Sequence, residues 1–221
     1  MDGKGNVAAM THRIMLLGDS WRGLYENAVR TSLGEDYTVW TPDENCRFAR
    51  YTLNSLRMYV TLFPDASVVH FNCGMWDIGR INGEGEPFTP LDEYTRDLEK
   101  IVLFCREKGM KVLFATTGTV RKACELDRFP YASVYNEDIR RYNAAAVGVM
   151  KRLSVPVTDI AASFDGREET LIGEDAIHPN EEGIAICASL IASSIKSACG
   201  DTTEMKKVKA AEIRLTDVVT A

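Results

Sequence analysis

Two patterns of apolar residues alternate along the 221-residue chain. Short runs, rich in β-branched and aromatic side chains and bounded by turn residues, predict strands. These are Arg13–Leu17, Tyr37–Trp40, Ser67–Phe71, Lys111–Thr116 and a short Val155–Asp159. Between them, longer stretches with helical spacing predict helices at Trp21–Leu33, Ala49–Phe63, Pro90–Lys108 and Val134–Leu153. In the third of these, Leu91, Tyr94, Leu98, Ile101, Val102 and Cys105 form one stripe, a face for burial. A last helix is expected from about Glu181 to Ala198, with Asn180 as its N-cap and Gly200 just past its end.

Strands that alternate with helices imply right-handed βαβ units and a parallel sheet covered on both faces. Ligands of such sheets sit beyond the carboxyl ends of the strands. This directs attention to loops 18–22, 41–48, 72–89, 117–133 and 160–180. The third and fifth exceed ordinary connection lengths, a mark of function. Within the third, Ile81–Pro87 carries Gly83 and Gly85 and is expected to be mobile above the site. There is no internal repeat and no linker, so one domain is expected over 12–199, flanked by tails at 1–11 and 200–221.

Composition narrows the class. Hydrophobic residues make up 45% and charged residues 26%, the usage of a globular chain with a sizeable core. A formal charge of -6 disfavours nucleic acid and anionic membrane surfaces as partners, because both need clustered Lys and Arg. The basic stretch Glu204–Arg214 reads as a solvated tail. No apolar window is long enough for a membrane span, and Met1–Ala9 lacks the apolar core of a signal peptide. The six cysteines are scattered without a CxxC pair, which predicts buried free thiols rather than disulfides or zinc. A cytoplasmic protein is expected. A P-loop, a G-x-G-x-x-G and a His/Asp/Cys cluster are all missing from the sequence, so neither cofactor nor metal is expected.

Three short segments carry chemistry. The first strand runs into Gly18-Asp19-Ser20 and then a helix. A serine there has free amides and a helix dipole beside it, which suit a nucleophile whose attack creates an oxyanion. It also reads as a plain helix cap. Far downstream, Asp175-Ala176-Ile177-His178-Pro179 precedes the last helix. In a turn, that spacing lets Asp175 accept from the imidazole Nδ1–H of His178 and leaves Nε2 as a base. A surface Asp–His pair is the structural alternative. Of the other histidines, His70 lies within an apolar strand and reads as a core residue, and His12 reads as a solvated one. The third segment is Val68–Asp77, the third strand and its outgoing loop. Here Asn72 is either an amide facing an oxyanion or a residue stabilising a turn.

Taken in order, these segments resemble the GDSL/SGNH-hydrolase family over roughly residues 12–199. Gly18-Asp19-Ser20 matches that family's nucleophile motif, and Asp175 with His178 matches its Asp-x-x-His motif. The resemblance implies a three-layer α/β/α domain with a flavodoxin-like five-stranded parallel sheet of order 2-1-3-4-5. It also implies a serine esterase with a Ser20–His178–Asp175 triad. The middle blocks depart from the family. The usual glycine after the second strand is missing from Asp43–Arg50, where the N–H of Arg47 is expected to join the oxyanion hole. Trp76 stands where the family has its oxyanion asparagine, and Asn72 is expected to replace it, beside the N–H of Ser20. Asp77 is expected to brace the loop, while Asp19 points away from the serine. Arg80, Arg121 and Trp21 are candidates for the pocket wall. The expected substrate is a short-acyl ester such as an acetate, on a small molecule or a carbohydrate. Thioesterase or lysophospholipase activity, or a binding protein with weakened catalysis, are the alternatives.

Overall fold

The computed structural model describes residues 12–80, 85–122, 124 and 133–200. The expected tail at 1–11, the expected tail at 200–221 apart from Gly200, and residues 81–84 of the expected mobile loop lie outside them. The strands are β1 (His12–Leu17), β2 (Tyr37–Trp40), β3 (Val68–Asn72), β4 (Lys111–Ala115) and β5 (Val157–Thr158). They form one parallel sheet in the order β2-β1-β3-β4-β5. The reversal of strand order between β1 and β3 opens a crevice beyond their carboxyl ends.

The long helices are α1 (Ser20–Leu33), α2 (Ala49–Leu62), α4 (Leu91–Glu107), α5 (Asn136–Arg152) and α8 (Glu181–Cys199). Right-handed crossovers put α1 on one face of the sheet and α2, α4 and α5 on the other. Accordingly, α1 packs against α8, while α2 packs on α4 and α4 on α5. Three short helices, α3 (Met75–Ile78), α6 (Ile160–Phe164) and α7 (Glu168–Leu171), occupy the two long loops. Four or five residues per helix are too few for a periodic pattern to register in a sequence.

The stripe on α4 is buried as expected, apart from half-buried Leu91. Helix α8 is apolar and long enough to span a membrane by length and composition. Its buried residues Cys187, Ile191 and Ile195 lie in the core, and the helix packs on α1 and on the sheet. Asn180 caps it, accepting from Gly183 N–H at 3.1 Å, and Gly200 ends it in the left-handed region. His70 is fully buried in β3, its Nε2 3.2 Å from Thr158 Oγ1, and desolvation lowers its pKa to about 3. It is the core histidine the strand pattern predicted. Cys46, Cys73, Cys105 and Cys187 are buried free thiols, and Cys124 is buried as well.

Candidate active site

The first strand delivers its residues to a tight corner. At Gly18, a Cβ would collide with Asn72 Oδ1 on the neighbouring strand and crowd the Arg22 side chain, so the two strand ends close only with glycine. Asp19, rather than Ser20, is the N-cap of α1: its Oδ1 accepts from the Trp21 N–H at 3.0 Å. That makes Ser20 the first helical residue, half-buried at the positive end of the helix dipole. Asp19 is 1% exposed, and burial raises its pKa while the Asn72 side chain and the Trp21 amide draw it back down.

The second half of the site is the turn before α8. Asp175 Oδ1 accepts from the backbone N–H of Ile177 at 3.1 Å and of His178 at 3.0 Å. This Asx-type turn holds Ala176 at a φ of 69°, in the left-handed region. Gly173 N–H donates to His178 O at 2.8 Å, closing the loop on itself. Partial burial works to raise the Asp175 carboxyl, but the backbone N–H groups and the His178 ring outweigh it and hold it below the ordinary range. Asp175 therefore stays ionised at neutral pH.

The two halves meet. His178 Nε2 lies 2.8 Å from Ser20 Oγ, and His178 Nδ1 lies 2.6 Å from Asp175 Oδ2, across 158 positions of sequence in the first case. The acceptor-only carboxylate selects the tautomer with a proton on Nδ1, which leaves Nε2 free to accept the Ser20 hydroxyl proton. Serine, imidazole and carboxylate thus form one continuous relay.

Two further groups hold the acid–base turn. The Trp21 indole Nε1–H donates to Ile177 O at 3.1 Å, tying the residue after Ser20 to the residue before His178. The ring is 3% exposed, lies 5.1 Å from Phe164 and rests on Gly118, where a Cβ would run into the indole. Arg121 donates its backbone N–H to Ala176 O at 3.0 Å and its side chain to Glu169 and Gly173 O. Trp21 and Arg121, the candidates for the pocket wall, both brace the turn, and Trp21 also borders a small pocket with Asp19 and Asn72. The Arg80 side chain is bound to Asp138 and Gly85 O. Nothing in a linear sequence reveals the Trp21 strut, although a glycine at 118 is its imprint.

The expected oxyanion donors fare differently. Ser20 N–H sits at the open start of α1. Asn72 is buried and accepts from the Tyr25 hydroxyl at 2.9 Å through Oδ1, and its side chain also engages the buried Asp19 carboxyl. The expectation for Arg47 needs correction. Its backbone N–H donates to Asn45 Oδ1 at 2.7 Å within a local turn that gives Arg47 a φ of 50°, so its single donor is spent. Asp77 accepts from the Ala49 N–H at 3.0 Å, bracing the β3 loop against the start of α2. Trp76 is 41% exposed and rests edge-on against Phe48.

Two clefts open from Ser20. One, about 310 Å³, is bounded by Arg22, Glu26, Pro42, Asp43, Glu44 and Asn45. The other, about 510 Å³, is bounded by Leu24, Gly173, Glu174, Asp175, His178 and Pro179. Carboxylates dominate the first, where the Arg22 guanidinium is engaged by Glu26 and by Glu44 O, while the second is more apolar and carries Glu174 and Asp175. Among the described residues, no group of three His, Cys, Asp or Glu side chains is placed to hold a metal ion.

The profile of the GDSL-like Lipase/Acylhydrolase family matches residues 11–186. A search of curated proteins finds no match. Solved structures with the same fold include a lipase/acylhydrolase from Enterococcus faecalis, with a TM-score of 0.69 and 16% identity, covering 85% of this chain and 97% of the other. The acetylxylan esterase Axe2 from Geobacillus stearothermophilus superposes with a TM-score of 0.66 at 16% identity, over 85% and 96% of the two chains. The psychrotrophic esterase EstA from Pseudoalteromonas sp., inhibited by monoethylphosphonate, gives 0.65 at 12% identity, over 85% and 98%.

Proposed function

The chain belongs to the GDSL-like lipase/acylhydrolase family, and we propose that it is a serine esterase in which Ser20, His178 and Asp175 are the catalytic triad. The observation that carries this reading is the unbroken relay from Ser20 Oγ through the His178 ring to Asp175. Ser20 Oγ attacks the ester carbonyl while His178 Nε2 takes its proton. The tetrahedral intermediate collapses, the carbon–oxygen bond to the alcohol breaks, and His178 returns the proton to the leaving oxygen. Water then enters by the same route in reverse, releasing the acid and restoring Ser20. Asp175 orients the ring and stabilises the transient imidazolium. The oxyanion is held by the Ser20 N–H and by Asn72 Nδ2, each donor contributing about 3 kcal/mol.

The preferred substrate is an uncharged ester with a short acyl group, such as an acetate on a carbohydrate. Support comes from the clefts. A long acyl chain needs a continuous apolar wall, whereas in the cleft beside Arg22 the apolar Pro42 stands among Glu26, Asp43, Glu44 and Asn45. Glu26, Asp43, Glu44 and Glu174 repel the phosphates of an acyl-CoA or a lysophospholipid. Axe2, with the same fold, is an acetylxylan esterase. A series of p-nitrophenyl esters of increasing acyl length, run on wild type and Ser20→Ala, tests this reading. Turnover should be highest on the acetate and fall with chain length, and the variant should be inactive. A maximum at long chains contradicts the short-acyl preference, and an active Ser20→Ala contradicts the triad.

A further inference from the structure

Beyond the relay, the loops at the carboxyl edge of the sheet carry a surface of aromatic rings that the chemistry at Ser20 does not use. Phe48 stands just before α2, Trp76 lies in α3 and Phe88 lies before α4. The Phe48 and Phe88 rings stack with centroids 4.6 Å apart, and Trp76 meets Phe48 edge-on at 5.6 Å. Trp76 is 41% exposed and Phe88 is 53% exposed. Large exposed rings gathered in one place mark a binding surface. A depression of about 390 Å³ is lined by Phe48 and Phe88 together with Tyr51, Asn54, Arg50 and Glu93.

The chain ties this surface to the relay twice. Asn45 borders the cleft at Ser20, and Phe48 follows three residues later, so their Cα atoms are at most about 11 Å apart. Asn72 abuts Gly18, and Trp76 follows four residues later, at most about 14 Å away. The rings therefore stand within a few residues of chain from the groups that border the Ser20 cleft.

We propose that Phe48, Trp76 and Phe88 form a sugar-binding subsite that holds the carbohydrate part of an acetylated saccharide while its ester lies at Ser20. This rests on the esterase reading above and names its substrate class. A sugar ring has an apolar C–H face and a rim of hydroxyls, and the depression offers both complements. Aromatic faces take the C–H side, and polar groups border them. Exposed Asn54 supplies both a donor and an acceptor, while Arg50 and Glu93, paired with each other at 2.9 Å, hold their polar ends at the same rim. An alkyl chain is the poorer occupant, because it would offer the Asn54 amide no hydrogen-bond partner in place of water.

The test compares kcat/KM on acetylated xylotriose, p-nitrophenyl acetate and p-nitrophenyl octanoate for wild type, Phe88→Ala and Trp76→Ala. Phe88 is half in solvent, so its truncation spares the core. In each variant the ratio of the saccharide value to the p-nitrophenyl acetate value should fall about tenfold, through KM. Quenching of Trp fluorescence by deacetylated xylotriose should appear in wild type and vanish in Trp76→Ala. An unchanged ratio, a loss confined to the octanoate, or a wild type that ignores the saccharide overturns the subsite. The last result leaves the esterase reading standing if p-nitrophenyl acetate is hydrolysed and Ser20→Ala abolishes it. Failure of wild type on every ester overturns that reading as well.

Discussion

Trp21 and Ile177 stand 156 positions apart and share a hydrogen bond of 3.1 Å, indole N–H to carbonyl. Each is next in sequence to a member of the relay, Ser20 in one case and His178 in the other. The bond therefore helps set the 2.8 Å spacing between Oγ and Nε2.

Trp21→Phe keeps an aromatic body against Phe164 and Gly118 but removes the donor. It should lower kcat by about tenfold with KM little changed, since misalignment by a fraction of an ångström is felt at the chemical step. The isosteric sulfur analogue β-(3-benzothienyl)alanine at position 21 should reproduce the loss with the thermal midpoint nearly intact. If that analogue matches wild type, the strut does not position the base.

Asn72 and Trp76 separate two placements of the oxyanion donor. Asn72→Ala should lower kcat on p-nitrophenyl acetate by roughly 10²–10³ with little change in KM. Trp76→Phe should cost less than tenfold on the same ester. The reverse ranking moves the donor from the end of β3 to α3. Because Asn72 also bonds Tyr25, a thermal melt of the Ala variant must show a folded protein for the kinetic result to count.

Stability should depend on pH through two buried groups that oppose each other. Burial raises Asp77 to about 7 from 3.8, so the stability tied to its protonated form is full below pH 3.8 and lost as pH rises to 7. His70 is lowered to about 3 from 6.5, so the stability tied to its neutral form is full above pH 6.5 and lost as pH falls towards 3. Between pH 4 and 6.5 the two slopes offset. Asp77→Asn, which keeps an acceptor for the Ala49 N–H, should expose a stability that rises with pH across that window. Unfolding in urea at several pH values checks this. A slope equal to that of wild type shows that Asp77 ionises normally.

Much of this was legible in the sequence because it depends on local pattern. All five strands fall within two residues of their expected bounds, and sheet order followed from the family resemblance. Ser20, Asp175 and His178 were readable because a turn at a strand end and an Asp-x-x-His spacing restrict where side chains go. The Trp21 strut was not readable, because a hydrogen bond between a side chain and a distant carbonyl leaves no periodic trace. Arg47 misled for a related reason. A backbone donor is judged free only once its local turn is known, and Asn45 two residues earlier had captured it. The aromatic surface was equally hidden, since Phe48, Trp76 and Phe88 come together only when three loops meet.

The central claim is that Ser20 is a nucleophile activated by His178. The most direct measurement is reaction with a fluorophosphonate, followed by peptide mapping of the adduct by mass spectrometry. One phosphonyl group per chain is expected, located on Ser20, with labelling abolished in Ser20→Ala and slowed by orders of magnitude in His178→Ala. No adduct on a protein that melts as folded, or an adduct on any other residue, contradicts it.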